Sequence, residues 1–158
     1  MINSNIIGWT KVTEFSVGGL MWFGFSKRQP NKLLCISSQH ASCVDCDTGA
    51  IMECDVDYDE DNCIAVSTCL PDEVIDICGT CGGIPLLYTN AGEEISIQEQ
   101  EELFASKTII RAKVTFNTVD KKIEIYNDYG FYTCLFSTDG NYFVFAEDAG
   151  ITILKKIP

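Results

Sequence analysis

Two pairs of cysteines have a spacing that could bind a metal ion. Each pair has two residues between its thiols, and zinc ribbons use two such pairs, because thiolates at this spacing can face one ion. The first pair falls where a strand is expected, and its thiols would there point to opposite faces. Most of the nine cysteines are therefore predicted to be small core residues. A redox pair is one alternative, and the other is a zinc site formed by Cys43, Cys46, Cys78 and Cys81.

A second candidate is the acidic run at residues 55–61, which has an aspartate at every second position. Alternating aspartates are typical of calcium loops. An EF-hand loop starting at Asp55 is excluded, because it would need glycine and glutamate where the chain has Glu60 and Val66. We expect a loop here, and a weaker calcium site, a merely solvated loop and a docking surface are the alternatives. The docking surface would bind a basic protein through Asp55, Asp57, Tyr58, Asp59, Glu60 and Asp61.

The charge is distributed unevenly along the chain. The formal net charge is -12, and the stretch from Leu33 to Ser106 has 16 of the 23 carboxylates and no lysine or arginine. Nucleic acid and anionic membranes are disfavoured as partners, because both are bound through Lys and Arg. A basic protein, a cationic small ligand or a metal ion is favoured. The alternative is that the acidity only keeps the chain soluble.

Motifs of catalysis are missing from the sequence. The only histidine, His40, lies at a predicted turn, and there is no Gly-x-Ser-x-Gly elbow and no glycine-rich phosphate loop. We therefore expect a protein that is not an enzyme, with no cofactor apart from the zinc alternative.

The first residues of the chain and its hydropathy bear on location. The stretch from Met1 to Asn5 has no basic segment and no long apolar run of the kind that opens a secretory signal. No apolar stretch approaches the roughly 18 residues of a membrane span. The sequence therefore predicts a cytoplasmic protein with reduced thiols.

The elements that must position these residues are short strands. Runs rich in β-branched and aromatic residues alternate with Gly, Asn and Asp, which is typical of an all-β fold. We expect one domain, 1–158, with about twelve short antiparallel strands in propeller-like or sandwich packing and at most one short helix. Trp9–Phe15 and Leu20–Phe25 are the first two predicted strands, and Gln98–Ser106 is the helical candidate.

The rhythm of strands and turns has a known likeness. The segment from Tyr132 to Lys155 contains a Phe-Ser-Thr-Asp-Gly turn at 136–140 and a Glu-Asp-Ala-Gly turn at 147–150. It resembles one blade of a β-propeller of the WD-repeat or a related type. A strand ending in Asp-x-x-Thr-Gly at 45–49 gives a second segment that resembles part of a blade, and residues 77–94 give a third, weaker resemblance.

The likeness is incomplete and identifies no functional residues. The Trp-Asp dipeptide of the repeat is absent, and the predicted strands suffice for about three blades, whereas a closed propeller needs at least four. The resemblance therefore implies half of a dimeric ring, an open stack of curved sheets or a β-sandwich. We favour a monomer, with a dimer as the alternative.

Several functions fit these observations. The favoured one is an acidic protein-binding module, similar in type to bacterial immunity proteins, which mask the basic surface of a partner such as a toxin nuclease. Its carboxylates would lie where the toxin expects phosphates. The alternatives are a zinc-stabilised structural domain that uses the Cys-x-x-Cys pairs and half of a dimeric propeller scaffold.

Overall fold

The structure, a computed structural model, describes residues 2–158 and contains fourteen strands and no helix within them. The all-β prediction is therefore confirmed, with two strands more than expected. The strands are β1 (Trp9–Phe15), β2 (Leu20–Phe25), β3 (Lys32–Ser37), β4 (Ala41–Asp45), β5 (Ile51–Cys54), β6 (Val56–Asp59), β7 (Ile64–Ser67), β8 (Leu70–Asp76), β9 (Glu94–Phe104), β10 (Lys107–Asn117), β11 (Lys122–Tyr129), β12 (Phe131–Phe136), β13 (Tyr142–Glu147) and β14 (Gly150–Lys156).

The strands form four antiparallel sheets, whereas the sequence predicted strands for about three blades. Sheet A has the order β1-β14-β13-β12, sheet B β2-β3-β4-β5, sheet C β6-β7-β8 and sheet D β11-β10-β9. In sheets B, C and D each strand pairs with the next one along the chain. Sheet A joins the two ends of the chain, because β1 pairs with β14 from Trp9 and Lys156 to Phe15 and Ile151.

Sheet A is covered on both faces. One face packs against sheet B around Leu33, Val44 and Val144, and the other packs against sheet D around Phe116 and Phe143. All six residues of β13 are buried. A strand covered on both sides needs an almost continuous apolar run, since successive side chains point to opposite faces.

Sheet B is also covered on both faces, because its second face packs against sheet C around Leu34 and Ile75. Sheets B and C come very close at Gly24, where an added Cβ would lie 2.3 Å from the carbonyl oxygen of Asp76. The sheets therefore stack in the order C, B, A, D. No buried cluster of residues 2–158 joins C to D, and the stack is not closed into a ring.

The first two strands were predicted correctly, whereas the helical candidate and the acidic run were not. Trp9–Phe15 and Leu20–Phe25 have the predicted bounds. Gln98–Ser106 is not helical: it continues β9 to Phe104, and Ala105 and Ser106 then form a tight turn with positive φ. The acidic run is not a loop throughout, since Val56–Asp59 is β6. Both segments are rich in residues that are depleted in strands, and pairing with neighbouring strands outweighs that preference.

The aromatic cluster between sheets A and D allows a test of the packing. The ring of Phe143 lies 4.9 Å from that of Phe136 and 5.4 Å from that of Phe116, centroid to centroid. Phe143→Ala should lower the free energy of unfolding by about 3–5 kcal/mol, because it leaves a cavity in a core that is closed on all sides. Urea unfolding followed by tryptophan fluorescence measures the change.

The matched control is Phe104→Ala, since Phe104 is 71% exposed at the end of β9. This substitution should change the free energy of unfolding by less than about 0.5 kcal/mol. Equal losses for the two variants would contradict the stacking order given above.

Candidate functional site

The acidic run begins between two edge strands, follows the second of them and ends in a turn. β5 ends sheet B and β6 ends sheet C, and Asp55 connects the two. We call the carboxylates of this segment the acidic strip; its members are Glu53, Asp55, Asp57, Asp59, Glu60 and Asp61. Glu53 is exposed on β5 and was not predicted as a site residue, although its place two positions before Asp55 continues the same alternation.

Strand alternation places the carboxylates of the strip and the core residues of the same segment on opposite faces. Val56 and Tyr58 point inward and pack against the cluster between sheets B and C. The aspartates at 55 and 57 are therefore exposed. Tyr58 was predicted to contact a partner, but it is half-buried and contributes mainly to the core.

Asp59 differs from the other carboxylates of the strip because it stabilises the following turn through hydrogen bonds. Its Oδ1 accepts hydrogen bonds from the backbone N–H groups of Asp61 (3.0 Å) and Asn62 (3.1 Å), and its Oδ2 accepts one from the Asn62 side chain (2.7 Å). The Asn62 side chain, and then these backbone donors, hold the pKa of Asp59 below its usual value. Asp59 therefore fixes the turn that presents Glu60 and Asp61.

The ion pairs of residues 2–158 leave the acidic strip unneutralised. Cations from outside the acidic stretch pair with carboxylates elsewhere: Lys32 with Asp45 at 3.1 Å and Lys27 with Asp76 at 2.8 Å. The further pairs are Lys11–Glu14, Arg111–Glu102, Lys113–Glu124, Lys155–Asp47 and Lys156–Glu93. None of them involves a member of the strip, so its charges add to one local negative field.

A polar cleft of about 580 Å³ opens beside the strip. One wall is the turn between β3 and β4, where His40 is exposed and its carbonyl oxygen accepts a 2.8 Å hydrogen bond from the Ser37 hydroxyl. The other wall carries Glu53 and Asp55, with Tyr58 beside them. Two carboxylates in a polar cleft suit a cationic group, such as the end of a lysine or arginine side chain.

The thiols are distributed through the core. Cys43 belongs to the cluster between sheets B and C, Cys46 and Cys78 belong to the cluster between sheets A and B, and Cys81 is exposed. Cys43 and Cys46 thus point to opposite faces, as alternation predicted. No group of three or more His, Cys, Asp or Glu side chains in residues 2–158 is arranged to hold a metal ion. The four predicted zinc ligands are therefore not brought together, and neither is a calcium site in the acidic run.

Burial also governs the chemistry of these thiols. Loss of solvation raises the pKa of Cys46 to about 12 and those of Cys43 and Cys78 to about 11. All nine cysteines are free. Because the thiolate is the nucleophile, the buried thiols are inert at neutral pH.

A second cavity, of about 600 Å³, is mainly apolar. Phe25, Ile77, Leu86 and Leu135 contribute to its walls, and Ile84 at its mouth is 97% exposed. The Lys27–Asp76 ion pair lies at its rim. Sequence reasoning missed this cavity, because its walls come from segments that are far apart in the chain.

The fold and the site define an all-β protein of stacked antiparallel sheets with an exposed acidic edge. No family model, no curated protein and no solved structure matches the chain. None of the described residues belongs to a helix long and apolar enough to cross a membrane.

The burial of the thiols can be tested by alkylation. Native protein treated with iodoacetamide at pH 8 should be modified rapidly at Cys81 only among Cys78, Cys81 and Cys134, since the other two are buried and thiolate formation there is opposed by burial. Because trypsin cannot cleave between Lys32 and Lys107, the protein is digested at aspartate and glutamate, and tandem mass spectrometry of the peptides locates the modified thiols.

The same reaction in denaturant is the control, and there all three thiols should react. Rapid native modification of Cys78 would contradict its place in the core. Protection of Cys81 that is lost on adding a chelator would reinstate the zinc alternative.

Proposed function

We propose that this chain is an acidic protein-binding module of the immunity type, which inhibits a partner such as a toxin nuclease by covering its basic surface. The observation that carries the proposal is the acidic strip, whose carboxylates lie on two edge strands, on the link between them and in the turn that follows. They take part in none of the ion pairs of residues 2–158. A role without catalysis, and a cytoplasmic location beside such a toxin, belong to the same proposal.

The chemistry of the partner follows from the field of the strip. A nuclease binds phosphates with lysine and arginine, and closely spaced carboxylates offer those side chains the same kind of acceptor. The polar cleft beside Asp55 adds a concave place for one such side chain. Long-range attraction would raise the association rate, and salt would weaken it.

Propeller-like packing is the scaffold we propose for this function. Its support is that each sheet is a small antiparallel meander, that the four sheets stack in sequence, and that β1 pairs with β14 at the junction of the chain ends. The favoured form is a monomer of 17.5 kDa. Sedimentation equilibrium separates it from a dimeric ring, which would have twice that mass.

Charge reversal tests the binding function. The triple variant Asp57→Lys, Glu60→Lys and Asp61→Lys should slow association with the partner at low ionic strength at least about tenfold. Asp59 is left intact because it fixes the turn. The probe is any basic nuclease that a neighbouring gene encodes, and stopped-flow fluorescence measures the rate.

A matched control carries the same change in net charge at exposed carboxylates away from the strip, namely Asp120→Lys, Asp128→Lys and Asp148→Lys. It should retain most of the association rate and protect growing cells from the toxin. If both triple variants bind alike, or if no neighbouring gene encodes a basic nuclease, the immunity-type function is wrong.

A further inference from the structure

The hairpin of β9 and β10 extends beyond the rest of sheet D. β11 pairs with β10 only from Asn117 to Arg111, whereas β9 pairs with β10 as far as Phe104 and Lys107. None of the residues 98–110 is buried, and only Glu102 and Ile109 are half-buried. We call residues 98–110 the arm.

The arm is held in shape at its base. The guanidinium of Arg111 donates to Glu102 at 3.2 Å and to the Tyr129 hydroxyl at 3.0 Å, and it stacks 4.5 Å from the Tyr129 ring centroid. At the tip, Ala105 and Ser106 both have positive φ, the conformation of a type I′ turn, which fits the twist of paired strands. The arm is thus an ordered ribbon rather than a loose loop.

Large apolar side chains lie exposed on the arm. Leu103 is 81% exposed, Phe104 71% and Ile110 50%. Leu103 and Phe104 are neighbours on one strand and so point to opposite faces of the ribbon. A two-stranded ribbon in water is only marginally stable by itself, and these side chains bury little surface that would support it. Their exposure on both faces suits a surface that is covered by another protein.

The outer edge of β9 is open over most of its length. Residues 87–89 pair with the start of β9, through Ile95 N–H to the Leu87 carbonyl at 2.8 Å and Thr89 N–H to Glu93 at 2.9 Å. From residue 96 to Phe104, no strand of the described chain pairs with that edge. This part of β9 has no proline, no lysine and no bulge, although these are the usual means of preventing edge-to-edge pairing.

The charge of β9 selects the kind of strand that could pair with it. Glu99 and Glu101 are exposed and belong to none of the ion pairs of residues 2–158, whereas Glu102 is neutralised by Arg111. A second copy of β9 would bring like charges together, which is destabilising. A strand with lysine or arginine would instead meet unpaired carboxylates.

We propose that the open edge of β9, residues 96–104, binds an extended segment of a partner protein in which basic residues alternate with apolar ones. The segment adds a strand to sheet D through main-chain hydrogen bonds. Its basic side chains lie on the face of Glu99 and Glu101, and its apolar side chains lie on the opposite face, which carries Phe104. This surface is separate from the acidic strip, so either one can fail without the other.

A synthetic peptide is the probe. It alternates lysine and valine, is as long as the open edge and is capped at both ends. Its addition to the full chain should slow amide hydrogen exchange at alternate residues of 96–104, because the N–H groups that face water gain acceptors while the others are already bonded to β10. Exchange is followed residue by residue by NMR. The same peptide with every backbone nitrogen methylated keeps its charge but has no N–H group left to donate along either edge, and should give no protection.

Matched protein variants test the charge. Glu101→Lys should weaken peptide binding at least about tenfold, whereas Asp120→Lys, an equal charge change outside β9, should weaken it less than about twofold. The triple variant of the acidic strip should bind the peptide through β9 as before.

Three results would overturn the proposal. The first is an absence of peptide binding at low salt. The second is equal binding of the methylated peptide, which would mean simple electrostatic adhesion. The third is protection of β5 or β6 instead of β9, which would place the basic segment on the acidic strip and favour the proposed function alone.

Discussion

The whole structure depends on two sheets that are buried on both faces. Sheets A and B form the middle of the stack, and every strand at their centre must offer apolar side chains to two neighbours at once. β13 meets this demand with five buried apolar residues, Tyr142 to Ala146. Because an inserted polar group there would be left without water, the middle of the fold tolerates little change. The outer sheets C and D have one face in water and carry the polar and charged residues.

This difference explains what could be predicted from the sequence. In a chain with so many turn signals, a short continuous apolar run such as Leu20–Phe25 indicates a buried strand, and the bounds of this one were predicted correctly. Segments outside the core lack that guide. The first five residues of Gln98–Ser106 are polar, and the two large apolar residues that follow are adjacent, so no period in its hydrophobicity could separate a strand from a helix. Its pairing with β10 decides its conformation.

The residues of the candidate site could be predicted from the sequence, but their ion pairing and side-chain directions could not. The density of carboxylates at 53–61 is evident from the sequence alone. Whether they form ion pairs depends on where the lysine and arginine side chains lie in the folded chain. Lys27 and Lys155 neutralise Asp76 and Asp47, which are far away in the chain. The metal alternatives depended on side-chain direction in the same way: strand alternation sends Cys43 and Cys46 into different clusters. Spacing along the chain could not supply either fact.

Open sheet edges and excess negative charge are complementary features of this fold. A stack that is not closed exposes edge strands, and exposed edges invite pairing between copies. Carboxylates on β6 and β9 oppose that pairing, since a second copy presents the same charges. The repulsion would disappear for a partner of opposite charge. The same carboxylates therefore disfavour pairing between copies and, under the function we propose, favour a basic protein. The carboxylates at the open sheet edges are therefore more informative than the net charge of the chain, because charges at an edge influence which strand can approach and pair there.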